Sequence, residues 1–140
     1  GWLCTAVEGD FRSLMVALGW SWAFRKVVAG MSYGVGRSMQ TISMEAEHRA
    51  ISIVDERGGT LDLILDGIER DVVQLTGEAA ATTARWLVAT PTGAPALWST
   101  TATVGAAGPV EATRFFRGEH MCIELRCGDA SAVRVFSRKK

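Results

Sequence analysis

The sequence predicts an all-β domain: an antiparallel up-and-down barrel of nine or ten short strands, with a helix-turn-helix near the N-terminus lying over its mouth. Three observations carry this prediction. Two short helical periodicities follow one another between Asp10 and Gly30. From Gly36 onward, apolar residues recur with a period of two. Turn-forming clusters then interrupt the alternation roughly every 8–15 residues as far as the C-terminus. No repeat of solenoid or propeller length is present, and closure into a barrel is the economical way to remove exposed strand edges.

The 140 residues fit one domain, 1–140. With 48% hydrophobic residues the chain can build a core, which excludes a disordered polymer. Fifteen acidic and fifteen basic side chains give zero net charge, and the scattered Lys and Arg form no basic stripe, so no nucleic-acid partner is expected. The three cysteines, Cys4, Cys122 and Cys127, form no disulfide framework and suit a reducing, cytoplasmic compartment. The N-terminus carries no secretory pattern. The uncharged run from Trp86 to Val110 is broken by Pro91, Pro95, Pro109 and several Gly and Thr, which argues against a spanning helix. The expectation is a soluble protein.

Asp10 occupies an N-cap position, and Phe11, Leu14, Met15 and Leu18 follow on one helical face. Gly19 closes that helix. A second helix runs from Ser21 to Gly30. Each is too short to be stable alone, so both must dock. Ile42, Met44, Ala46 and His48 then alternate with Ser43, Glu45, Glu47 and Arg49, and the habit returns at Ile51 and Ile53 and at Leu61, Leu63 and Leu65. Breaks fall at Arg57-Gly58-Gly59, Asp66-Gly67, Thr76-Gly77-Glu78, Pro91-Thr92-Gly93, Gly105 to Pro109, Arg117-Gly118-Glu119 and Gly128-Asp129. Side chains fill a barrel of eight strands, and one of ten leaves a cavity beneath its lid.

On alternation alone, Val133 and Val135 face the core, and Arg134, Phe136 and Arg138 face solvent, in keeping with the rarity of buried arginine. Arg114 shares a face with Ala112 and Phe116, opposite Thr113 and Phe115, and its direction stays open. His120 and Cys122 share a strand face but lack a third metal ligand. Cys122 and Cys127 fall on opposite faces of a continuous strand. Gly34-Val35-Gly36 reads as a flexible connection. No nucleophile elbow or zinc-protease motif occurs, so no catalytic residue, metal or cofactor is assigned.

The segment Phe11-Arg12-Ser13-Leu14-Met15-Val16-Ala17-Leu18-Gly19, continuing through Ala23, Arg25 and Lys26, with Gly1 and Trp2 at the first strand, is similar to the N-terminal signature of the intracellular fatty-acid-binding proteins of the calycin superfamily. Val133-Arg134-Val135-Phe136-Ser137-Arg138-Lys139 resembles that family's final strand, in which an Arg precedes a Tyr by two residues. A second family Arg stands twenty positions earlier, where this chain has Arg114. The hairpin from Gly118 to Leu125 has the family's length, with Met121, Ile123 and Leu125 alternating. The middle of the chain fits only as generic strands, and loops between Arg25 and Arg85 are expected to be extended.

The resemblance implies a ten-stranded antiparallel barrel with a helix-turn-helix lid. Its cavity would hold a long-chain fatty acid or a related hydrophobic carboxylate. Arg114 and Arg134 would point inward to the carboxylate, with Phe136 replacing the family's tyrosine. Phe11 would lie near the ligand tail, with Met15 and Arg85 as further portal or tail candidates. Phe11, Met15, Leu18, Trp22 and Phe24 carry two readings, a portal lining or ordinary helix–barrel packing. Arg25 and Lys26 either touch an anionic membrane transiently or form a solvated helix end complementing the dipole. The expected protein is a monomeric, cytoplasmic, non-enzymatic lipid carrier. Alternatives are a retinoid-acid carrier, a secreted lipocalin-type carrier, a barrel enzyme using His48, His120 or Glu124 as base, and a ligand-free scaffold filled by Trp20, Trp22, Trp86 and Trp98.

Overall fold

The computed structural model of the chain describes residues 1–87 and 94–139. The turn expected at Pro91-Thr92-Gly93 and the terminal Lys140 lie outside the described residues. Strand β1 (Trp2–Gly9) is followed by helices α1 (Phe11–Ala17) and α2 (Trp22–Gly30) and a single 3-10 turn at Ser32–Gly34. Nine strands complete the chain: β2 (Met39–Met44), β3 (Ala50–Asp55), β4 (Thr60–Ile64), β5 (Arg70–Val73), β6 (Ala79–Leu87), β7 (Ala96–Thr101), β8 (Val110–Arg117), β9 (His120–Cys127) and β10 (Ala130–Arg138). All ten strands form one sheet in the order β4-β3-β2-β1-β10-β9-β8-β7-β6-β5. Its ladders are antiparallel, and β1 against β10 joins the two ends of the chain.

The barrel is nearly, not fully, closed. Among the described residues no ladder joins β4 to β5. The Leu65 N–H donating to Arg49 O (2.8 Å) only extends the β3–β4 ladder; the seam is held by an isolated bridge between Asp66 and Arg85 and by the Gly67 N–H donating to Ala84 O (2.9 Å). The indole of Trp86 adds a bond to His48 O at 3.0 Å. The expectation that closure removes every strand edge is therefore corrected. The cause is local. The Asp66 carboxylate accepts from the Ile68 N–H (3.0 Å) and the Arg70 guanidinium (2.7 Å), so a side chain organises the reversal between the strands.

Both helices begin where their caps predict. The Asp10 carboxylate accepts from Ser13 N (3.0 Å) and Ser13 Oγ (2.6 Å), and Gly19 leaves α1 with φ +79°. Ser21 Oγ accepts from Phe24 N at 3.2 Å and starts α2. Their packing differs. Phe11, Leu14 and Met15 of α1 are buried against Cys127 and Ala132 of the barrel. The carbonyl of Ala17 is held by the Ala107 N–H (2.7 Å) and the Cys127 thiol (3.3 Å), which ties α1 to the β7–β8 loop and to β9. No residue of α2 is buried.

Two local expectations change. Strand β2 stops at Met44 rather than running through Ala46 and His48. Glu45 Oε1 accepts from Arg49 N (3.0 Å), and His48 takes φ +58°, so the polar members of that alternating run build a turn. Phe136, which alternation placed toward solvent, is fully buried (0% exposed). It packs with Cys4, Met121 and Ile123 in a cluster filling the barrel end farthest from α1. Val135 on the opposite face is also buried, so β10 is covered on both sides and the period-two contrast loses its meaning there. A second cluster, centred on Ile51, Ile53, Leu63, Ala84 and Leu97, lines β3, β4, β6 and β7.

Candidate functional site

Strand register places the two candidate arginines. Trp86, Leu97, Arg114, Ile123, Arg134 and Val7 are successive cross-strand partners from β6 to β1, and such partners share a face. Arg114 and Arg134 therefore flank Ile123, one strand to either side, on the face carrying the buried Leu97, Ile123 and Phe136. At the usual strand spacing their Cα atoms are about 9–10 Å apart. A bulge at Thr5 shifts β1 so that Cys4 faces Phe136 and Val7 faces Arg134. The resemblance's inward direction, rather than the solvent direction read from alternation, describes Arg134.

Among the described residues neither guanidinium is paired with an acid. Arg114 Nε and Arg134 Nε are buried with no hydrogen-bond partner among the described residues. The row through the two arginines and the adjacent inner rows (Ala84, Ser99, Ala112, Leu125, Ala132; and Phe116, Met121, Phe136, Cys4) contain no Asp or Glu. Loss of hydration pushes Arg114 down to about 10, still protonated at neutral pH. A buried cation without a partner is costly, and an anion entering the barrel would offset that cost.

Arg114 lines a cavity of about 430 Å³. Ser99, Ala112 and Val110 form its wall, and Leu18 and Trp20 of the lid and the β5–β6 turn lie around it. One acid, Glu78, is on this lining, exposed in the β5–β6 turn. The volume lies within the ~300–1,000 Å³ typical of small-ligand sites.

Arg134 is placed by different neighbours. Its guanidinium lies 5.3 Å from the centroid of the Phe136 ring, a cation–π contact where the family's tyrosine would offer a hydroxyl. Its Nη2 lies close to Gly34, where an added Cβ would sit 2.7 Å from it and would collide with Ser38 Oγ. Gly34 has φ +89°. The connection read as merely flexible is thus a point of close approach, and only glycine fits there. Alternation carries no signal for this residue, because its partner is distant in sequence.

The remaining candidates divide. Phe11 and Met15 are buried beneath the lid, and the Phe11 ring lies 5.2 Å from that of Tyr33. They pack in the lid–barrel core, while Leu18 and Trp20 line the Arg114 cavity. Trp20 was not singled out as a lid residue by the sequence. Arg85 is on the opposite sheet face, 5.0 Å over the Trp98 ring, and is not brought together with Arg114 and Arg134. Trp22 is largely exposed (64%), and Phe24 (49% exposed) touches the edge of the lid core through the Trp20 ring at 5.0 Å. Arg25 and Lys26 sit at the middle of α2 rather than at its end; Arg25 donates to Trp20 O (3.0 Å) and Lys26 stacks on Trp22. Of the four tryptophans offered as cavity fillers, Trp22 is exposed and Trp98 faces outward.

Comparisons with known proteins agree with this architecture. No protein-family model matches the chain, and no curated protein matches it. Among solved structures, a tyrosine-to-phenylalanine mutant of the REP1-NXSQ fatty acid transporter superposes with a TM-score of 0.71 at 18% identity, covering 99% of this chain and 95% of the other. A Schistosoma mansoni fatty acid binding protein in complex with arachidonic acid gives 0.70 at 18% identity, covering 99% and 93%. Human cRBP IV gives 0.69 at 16% identity, covering 99% and 95%. The chain has the fold shared by these lipid-binding barrels.

Proposed function

We propose that the chain is a non-enzymatic carrier that holds a long-chain fatty acid, or a related single-chain lipid acid, inside the barrel. The head group would lie at Arg114 and Arg134 and the tail would run toward the lid. The observation that carries this reading is the pair of buried, unpartnered arginine Nε atoms on one inner row, one of them on the wall of a cavity. What the solved neighbours are named for binding agrees with it.

Magnitudes divide the work between tail and head. Each buried methylene contributes about 0.8 kcal/mol, so a sixteen-carbon tail offers on the order of 12 kcal/mol before association costs. A hydrogen bond to a charged group nets about 1.5–3 kcal/mol. The tail therefore supplies most of the affinity, and the arginines orient the ligand and select for an acid.

Delivery by brief contact with an anionic membrane belongs to the same proposal. Between Asp10 and Glu45 the chain carries Arg12, Arg25, Lys26 and Arg37 and no acid, and Trp22, Phe24 and Val27 of α2 are exposed beside them. Buried free thiols at Cys4, Cys122 and Cys127 suit the cytoplasm. No helix among the described residues is long and apolar enough to cross a membrane.

The test is a titration of delipidated protein with oleate and methyl oleate, for wild type, Arg114→Ala and Arg134→Ala. Saturable oleate binding, weaker for the ester and weaker in either variant, is the expected result. Equal oleate binding by all three proteins would remove the arginines from the site, and no binding by wild type would remove the carrier reading.

A further inference from the structure

The two arginines provide more charge and more donors than a monocarboxylate consumes. Resting on the carrier reading above, we propose that the head-group site selects a dianion, the phosphate monoester of a single-chain lipid, over a fatty acid with the same tail. Three observations carry this. The inner rows around Ile123 hold two guanidinium charges and no carboxylate, so a carboxylate head would leave one of the two positive charges uncompensated, and a phosphate monoester, close to doubly ionised at neutral pH, would leave almost none.

Donor geometry points the same way. In both arginines the buried Nε has no hydrogen-bond partner among the described residues, and a guanidinium carries Nη donors beside it, so each arginine can present a two-donor fork. A carboxylate has two oxygens and matches one fork in bidentate fashion. A phosphate monoester presents three terminal oxygens and matches two forks, one on each side of Ile123. Phe136 adds the third observation. It faces Arg134 with a ring rather than a hydroxyl, so β10 itself adds no neutral donor beside Arg134; the nearby hydroxyls are Ser38 at the Gly34 approach and Ser99 on the Arg114 side, and the charge at the site comes from the two cations.

The experiment compares four probes by calorimetry on delipidated wild-type protein: 1-oleoyl lysophosphatidate, oleate, monooleoylglycerol and glycerol 3-phosphate. The first three share one tail and differ in head charge, and the fourth is the phosphate head without a tail. Lysophosphatidate is expected to bind on the order of tenfold or more tighter than oleate, one extra charge-assisted interaction, with monooleoylglycerol weaker than both. Glycerol 3-phosphate is expected to bind far more weakly than lysophosphatidate; comparable binding would overturn the lipid part of the proposal in favour of a free-phosphate site. Arg134→Met should bring the lysophosphatidate-to-oleate ratio close to one. If that variant does not fold, the wild-type ranking still decides. Oleate binding as tightly as lysophosphatidate, or tighter, would overturn the dianion inference and leave the carrier standing. If neither lipid binds, both fall together.

Discussion

Substituting Gly34 by alanine separates a backbone effect from a site effect, because Gly36 provides a matched control. Both glycines have left-handed backbones, φ +89° and φ +77°. Either alanine should therefore cost about 1–2 kcal/mol of stability, or roughly 3–10 °C in Tm for a domain of this size. Their surroundings differ. A Cβ on Gly36 meets nothing within 4 Å, whereas one on Gly34 comes to 2.7 Å from Arg134 Nη2 and collides with Ser38 Oγ. Ser38 can turn its hydroxyl away, but the Arg134 guanidinium must leave its place over Phe136. The expected result is a similar loss of Tm in both variants, with oleate affinity falling only in Gly34→Ala. The fall should be about 1.5–3 kcal/mol, roughly ten- to a hundredfold, for one lost charged hydrogen bond. Thermal unfolding and oleate titration on the same preparations read both quantities. Equal oleate affinity in Gly34→Ala and Gly36→Ala would refute the reasoning, since Arg134 would then not be held by this approach or would not touch the ligand.

Three further outcomes follow from the same geometry. Phe136→Tyr places a hydroxyl beside Arg134 and should raise oleate affinity several-fold, about 1 kcal/mol, in the titration above; a loss of Tm without tighter binding would show that the hydroxyl is stranded in the core. Hydrogen bonds from Arg70 and then from the Ile68 N–H hold the Asp66 carboxyl below the ordinary carboxylate range. Its contribution is present above the unfolded pKa of about 4 and is lost as pH falls through the lower folded value, so urea unfolding of Asp66→Asn should depend less steeply on pH in acid than wild type. All three cysteines are buried, and burial pushes the Cys122 thiol up as well. Labelling by a thiol reagent should be slow in native protein and fast in denaturant, and rapid native labelling of any one would place it in a locally opening segment.

Much of the fold was legible because its signals are local. Asp10, Ser21 and Gly19 act within one turn of the helix ends they set, so both helices begin and α1 ends where the residues say. The strands after Gly36 announce themselves by alternation wherever one face is buried and the other wet. Where a contact joins distant residues, alternation is silent. Gly34 lies against Arg134, and the inward direction of Arg134 follows from a row of partners across β8, β9 and β10. Only the resemblance at the two chain ends raised that direction, and it placed Arg114 and Arg134 on the row where register also sets them. It offered no guard against Arg85, whose outward position follows from its pairing with Trp98. The polar run from Glu45 to Arg49 misled for the opposite reason: its alternation is real, but the Glu45 carboxylate takes the Arg49 N–H and Glu47 pairs with Arg49, so the run closes on itself as a turn.

The seam between β4 and β5 bears on the girth of the container. In a fully hydrogen-bonded barrel, strand number and stagger fix the radius, so a bulkier cargo must be refused or must break a ladder. Here the ring is interrupted, and what spans the interruption among the described residues is one bridge, the Gly67 N–H to Ala84 O bond and the Trp86 indole. Widening there would open that bridge and the Gly67–Ala84 bond and leave the ladders from β4 round to β5 intact. The molecule is a cuff with a fastening rather than a pipe: no closed ring of ladders among the described residues fixes its circumference.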